Sequence, residues 1–174
     1  IRGQGKFVYE HGLTDETKVT VDTPAGPRTL ELIVEDGRVE KVRVDMGVPR
    51  LSRAEVPMAG TPAEEPVIGE TIRVRGEEVA ITGVSMGNPH AVIFVPDVGL
   101  APVATLGAAI EEDPLFPERT NVEFLEVRSP TELALRVWER GSQETKACGT
   151  GACAALVAAV VQDRAERRRS EERR

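Results

Sequence analysis

Hydrophobic and polar residues alternate in short runs along most of this chain and merge into one long apolar stretch near its end. Lys18 to Asp22, Thr29 to Val34 and Val39 to Asp45 each put apolar side chains on alternate positions, the period of a half-buried strand. Asp36-Gly37 between the last two is a hairpin-turn dipeptide. Ahead of them, Ile1 to Glu10 reads as a short helix stopped by Gly12 in a C-terminal cap. Glu70 to Val74 and Val79 to Thr82 predict another hairpin, about Arg75-Gly76-Glu77. Ala91 to Val95 fits a buried strand, and Asn121 to Val127 with Glu132 to Trp138 form a further pair turned at Ser129-Pro130. Val103 to Ile110 reads as a helix after Pro102, and a last helix is expected from about Thr150 to Arg168. Within it, Ala152 to Val161 is apolar nearly all round, which implies burial on every face. Met46-Gly47-Val48-Pro49 ends the first group of strands, and the Pro-rich polar stretch through Pro66 reads as a connector. Many short strands with one strongly apolar helix predict an α+β fold, a sheet curled around that helix.

Composition narrows the classes. With 174 residues the chain suits one domain, or one whole domain and part of another. Aromatics are only 3%, so Val, Leu, Ile and Ala must fill the core. A net charge of −7 argues against a nucleic-acid partner, which requires a basic face. The tail from Arg164 to Arg174 alternates Arg with acidic residues and reads as a solvated helix end. Two cysteines five residues apart make no disulfide framework, and no cluster has zinc-ligand spacing, so no metal is expected. The longest apolar run, Ala152 to Val161, is too short to cross a membrane, and a reducing cytoplasm is the expected setting.

The chemistry concentrates in the run from Glu139 to Ala155. Cys148 stands where a strand gives way to an Ala-rich helix, beside the unpaired amides and positive dipole of the first turn. There a thiol tends toward thiolate, and an anionic substrate group can share the same amides. Gly149 and Gly151 let backbone approach a ligand. Plain packing is the alternative for Cys148, and Cys153 reads as packing. Met86-Gly87-Asn88-Pro89-His90 is a tight turn that aims Asn88 and His90 out of the sheet, unless the Asn caps its own backbone. Phe116 to Asn121 is a second polar turn. Glu139 and Arg140 follow a strand, where an exposed salt bridge is the ordinary account. His11 reads as solvent-facing.

Three stretches in series resemble the diaminopimelate epimerase family. They are Met86-Gly87-Asn88-Pro89-His90-Ala91-Val92, Phe116-Pro117-Glu118-Arg119-Thr120-Asn121-Val122, and Glu139-Arg140-Gly141 with Ala147-Cys148-Gly149-Thr150-Gly151-Ala152-Cys153. Thr23-Pro24-Ala25-Gly26 and Val44-Asp45-Met46-Gly47 are also similar to family segments. The resemblance implies a cofactor-independent isomerase that interconverts LL- and meso-diaminopimelate in lysine and peptidoglycan-precursor synthesis. It implies two pseudo-symmetric domains, each a curled, mostly antiparallel sheet around a central helix, with 1–46 the remainder of the first and 47–174 the second. Each domain would supply one cysteine, Cys148 being the second. Gly149 and Thr150 would offer amides to the α-carboxylate, and Asn88, Asn121, Glu139 and Arg140 would hold the amino acid. His90 and Glu139 would tune the cysteines. A cytoplasmic homodimer with a small-molecule substrate, and neither nucleic acid nor membrane as partner, completes the expectation.

The family's first catalytic cysteine, in a Cys-Gly-Asn-Gly turn, has no counterpart here, and the family's later strands are also absent. The first domain is therefore expected to be incomplete, the second truncated, and the isolated chain inactive. Gln143 stands where the family usually carries Gly. Two other readings remain open: a proline- or hydroxyproline-type racemase, and a cysteine-nucleophile hydrolase or transferase using Cys148 with His90 as base.

Overall fold

The alternating runs assemble into two sheets, one in each of two compact units, Ile1–Gly47 and Val48–Arg174. The computed structural model describes residues 2–23, 26–146 and 148–166. Pro24 and Ala25 of the Thr23–Gly26 segment, Ala147 and the tail from residue 167 lie outside that range.

In the first unit, α1 (Arg2–Glu10) lies against an antiparallel sheet of β1 (Lys18–Val21), β2 (Arg28–Glu35) and β3 (Arg38–Val44). Gly12 ends α1 as expected. At φ +67° it donates to the Tyr9 carbonyl while Leu13 donates to Val8, the paired bonds of a Schellman cap. Glycine at position 5 lets the helix approach β2, because a Cβ there would lie 2.9 Å from Leu30 Cδ1. Asp36 and Gly37 both take positive φ, the geometry of a type I′ hairpin. Leu30, Leu32 and Val39 form the small core.

In the second unit, β4 (Glu70–Val74), β5 (Glu77–Ser85), β6 (Pro89–Phe94), β7 (Asn121–Ser129), β8 (Glu132–Glu139) and β9 (Gln143–Thr145) form a six-stranded sheet in chain order. All neighbours are antiparallel except β6 and β7, which run parallel. Their crossover carries a wide π-type turn, Val103–Gly107, leading into α2 (Ala108–Glu111), where a single helix over Val103 to Ile110 is expected from sequence. Ala91, Ile93, Val122 and Phe124 pack with Val103, Ile110 and Phe116. The pleat sends their neighbours His90, Val92 and Glu123 to the other face. There α3 (Gly149–Val161) packs against β5 to β8. The fold is mixed α+β.

Several expectations are corrected. The stretch 50–66 is no loose connector. Val56 and Met58 are buried in the core, and Arg50 and Ser52 form bridges with Ser85 and Pro66. α3 stops at Val161 instead of about Arg168, because Asp163 turns left-handed at φ +55° and donates to the Val160 carbonyl while Arg164 donates to Ala159. Arg164 then covers the Phe94 ring at 4.3 Å and does not continue a solvated helix. Nor is α3 buried on every face. Gly151, Ala154, Ala155, Ala158 and Ala159 form one buried stripe, and Leu156, Val157 and Val160 are half-buried, because the sheet covers one side. The short strand β9 has no alternation long enough to announce it.

Candidate active site

Cys148 is the N-cap of α3. Its extended backbone folds the side chain over the first turn, so the Gly151 N–H donates to Sγ at 3.3 Å. Sulfur thus takes the place a Ser or Asp oxygen usually holds at a helix start. Thr150 Oγ1 lies 3.4 Å from the same sulfur. Gly149 is exposed and Thr150 half-buried at this tip. Cys153, farther along α3, is also half-buried.

Cys148 as a residue is 7% exposed. Burial pushes the Cys148 thiol up, the Thr150 hydroxyl and the Gly151 amide pull it down, and the carboxylates of Glu139 and Glu123 push it up again; the net direction is upward. This direction runs against the thiolate tendency expected of a helix tip. One amide and one hydroxyl do not offset desolvation and two nearby negative charges.

β6 and β7 bring the next groups in. Gly87, at φ +92°, turns the chain between β5 and β6 and presents Asn88. The Asn88 carboxamide reaches outward instead of capping its own backbone: Nδ2 donates to Thr150 Oγ1 at 3.4 Å, and Oδ1 faces His90 Nε2 at 3.2 Å. His90 Nδ1 meets Glu123 Oε1 at 2.7 Å, with both side chains fully buried. His90 is therefore joined to Cys148 through Asn88 and Thr150. The direct His–Cys pair required by a cysteine nucleophile is not the arrangement found.

Asn121 opposes His90 in the parallel register. Its carboxamide donates to the Pro89 carbonyl at 2.8 Å and accepts the Arg140 N–H at 3.0 Å, tying β6 to the turn after β8. Arg140 is exposed, and its guanidinium donates to the Glu118 carbonyl at 2.9 Å; Glu139 accepts from the Thr145 hydroxyl. These bonds, in place of a simple exposed pair, hold the turn. Gln143 closes that turn at φ +65°, a conformation in which the family's usual glycine is unstrained. His11 is exposed, stacked on Phe7.

Two residues escape sequence reasoning. Glu111 is buried beneath the turn, accepting from Trp138 Nε1 at 2.7 Å, from Gly141 N–H at 2.8 Å and from Arg119 at 3.3 Å. In sequence it is an ordinary acid after a helix, without a signal. Glu123 has one: a charge inside the apolar run Val122 to Leu125. Among the described residues, no group of His, Cys, Asp and Glu side chains converges to hold a metal ion, and no helix is long and apolar enough to cross a membrane.

Comparison with known proteins follows the same residues. Residues 82–172 match the family described as diaminopimelate epimerase. The diaminopimelate epimerase of Bacillus cereus is 53% identical over 167 residues, which cover 96% of this chain and 58% of the relative. That of Pelotomaculum thermopropionicum is 54% identical over 161 residues, covering 92% of this chain and 57% of the relative. The chain thus spans less than two thirds of the length of these curated relatives. Among solved structures, a probable proline racemase from Agrobacterium radiobacter superposes with a TM-score of 0.68 at 20% identity, covering 92% of this chain and 51% of its own. At that identity the likeness is one of fold.

Proposed function

The chain belongs to the diaminopimelate epimerase family, and from that premise we propose that Cys148 is one of the two acid–base groups of a site that inverts an α-carbon of diaminopimelate. The observation that carries this reading is the seat of Cys148 Sγ at the first turn of α3, held by Thr150 and Gly151 and near the carboxylates of Glu139 and the buried Glu123. The activity is proposed for the whole protein.

Inversion needs a base on one face of the carbon and an acid on the other. The upward shift of Cys148 suits it to the acid's part in the free site, ready to deliver a proton to a carbanion. Cys153 lies farther along the same helix and is given no part in the acid–base chemistry. The isolated chain, with Cys148 as one of the two acid–base groups, is proposed to leave the isomer ratio unchanged. The domain division at 46 and 47 is part of the same proposal.

The reaction has no cofactor to spread the negative charge, so fixed dipoles must stabilise it. The first-turn amides at Gly149 and Thr150 have no carbonyl partner within the helix and receive the α-carboxylate. Asn88, Asn121, Glu139 and Arg140 hold the rest of the zwitterion, so that only the proton moves. His90 and Glu139 tune the sulfur. A reducing cytoplasm keeps the thiol available, and a homodimer is the proposed assembly.

Substrate deuterated at the α-carbon tests the reading in the whole protein. Label should wash into water as the isomers interconvert, and Cys148→Ala should slow this by roughly 10²–10⁴-fold. Retention of the label during turnover would instead indicate acyl transfer and end the proposal.

A further inference from the structure

The epimerase reading leaves Glu123 without a task. Its side chain is fully buried in the middle of the sheet, an expensive place for a carboxylate unless something holds it. Oε1 has His90 Nδ1 at 2.7 Å, whereas Oε2 is buried with no hydrogen-bond partner among the described residues. Gly151 makes room for this carboxylate, since a Cβ at that position would lie 2.7 Å from Oε1 and 3.2 Å from Cys148 Sγ. The same glycine supplies the N–H that holds the sulfur.

We propose that Glu123 is a positioning residue for Cys148, acting through His90, Asn88 and Thr150 to point a line of hydrogen bonds at the sulfur. The inference rests on the acid–base role given to Cys148 above. A carboxylate only accepts, so Nδ1 of His90 donates to Glu123. Nε2 faces the oxygen of the Asn88 carboxamide and donates as well. In this arrangement both ring nitrogens of His90 face oxygen acceptors. With its oxygen engaged, Asn88 turns its NH₂ toward Thr150 Oγ1. The Thr150 oxygen has accepted a hydrogen bond, so its own O–H is left to donate to Cys148 Sγ. Without the carboxylate nothing obliges Nδ1 to donate, and the tautomer of the ring is no longer set from Glu123. Wherever Nε2 accepts, the carboxamide reverses and Thr150 donates to Asn88 instead of to sulfur. The titratable groups facing Cys148 are Glu139 from β8, Glu123 from β7 and, through this line, His90 from β6.

The test distinguishes this from simple repulsion by sign. Alkylation of Cys148 by iodoacetamide is followed by peptide mass across pH in the folded chain, which separates it from Cys153. The direct charge of Glu123 pushes the thiol up, and the line of hydrogen bonds is proposed to outweigh it. Glu123→Gln should therefore move the profile to higher pH and slow the reaction at pH 7 by roughly tenfold, the effect of losing one hydrogen bond to a charged sulfur. Thr150→Val should slow it similarly, and in that background Glu123→Gln should slow it no further. If Glu123 merely repels the thiolate, Glu123→Gln speeds alkylation; if it is only a packing residue, the profile does not move. Either result overturns the proposal, as does an unchanged rate in Thr150→Val. Should Glu123→Gln fail to fold, His90→Gln replaces it, since a carboxamide donates from its nitrogen alone. The readout is the sulfur and not turnover, so failure here leaves the epimerase reading standing, and an absence of α-proton exchange leaves this result standing.

Discussion

The two units treat polar residues in opposite ways. In Ile1–Gly47 the core is Leu30, Leu32 and Val39, and the charged residues of its strands lie at or near the surface, as with the exposed Arg43–Glu31 pair at 2.6 Å. Among the described residues, every buried polar or charged side chain falls in the other unit: Arg53, Thr82, Ser85, His90, Glu111, Thr120, Asn121 and Glu123. Arg53 pairs with Glu70 and holds the 50–66 stretch to the sheet, whereas His90, Glu111, Asn121 and Glu123 cluster around the last turn and the start of α3. The first unit is built by alternation alone. The second departs from alternation where its candidate chemistry lies, and each departure is held by named hydrogen bonds.

The largest effect should separate the units on this ground. Glu111→Ala strands the Trp138 and Gly141 donors in a buried site and should cost about 3 kcal/mol in urea unfolding. The counterpart in the first unit, Glu31→Ala, should leave stability nearly unchanged, since exposed pairs contribute little. Equal losses at both positions would break the contrast.

A matched pair of glycines sharpens it. A Cβ at Gly5 meets only the movable ends of Leu30 and Leu32, and alanine's helix propensity offsets that crowding, so Gly5→Ala should be close to neutral. A Cβ at Gly151 meets a carboxylate pinned by His90, along with Cys148 itself. Gly151→Ala should therefore cost about 2 kcal/mol, as overpacking does in rigid sites, and should raise the alkylation rate of Cys148 as the sulfur is displaced. Differential scanning calorimetry of the two variants makes the comparison.

What was legible in sequence follows the same division. Strands β1 to β3, the I′ turn at Asp36-Gly37 and the cap at Gly12 are local features, set by alternation and by residues that tolerate positive φ. The site motifs were legible too: Asn88, His90, Cys148 and Thr150 do converge, joined by contacts of 3.2 to 3.4 Å. The roles of Val56 and Met58 were not, because a Pro-rich polar stretch hides two core residues whose partners are distant in sequence. The upward shift of Cys148 was also hidden, since the dipole of α3 is a local property while the burial that chiefly raises the thiol, and the added push of Glu139 and Glu123, depend on the tertiary fold. The early stop of α3 at Val161 depends on the left-handed Asp163, a turn that the apolar run before it does not announce.

The most direct measurement is the pH profile of Cys148 alkylation in the unmodified chain. A folded-state thiol shifted upward binds its proton more tightly than the unfolded chain does. The stability it contributes is complete below the unfolded thiol's value of about 8.5 and is lost as pH rises through the higher folded value. The account predicts an alkylation midpoint above that of an ordinary thiol, with Cys148→Ala removing this part of the alkaline loss of stability. A midpoint below the ordinary value, a sulfur already thiolate at neutral pH, would contradict it.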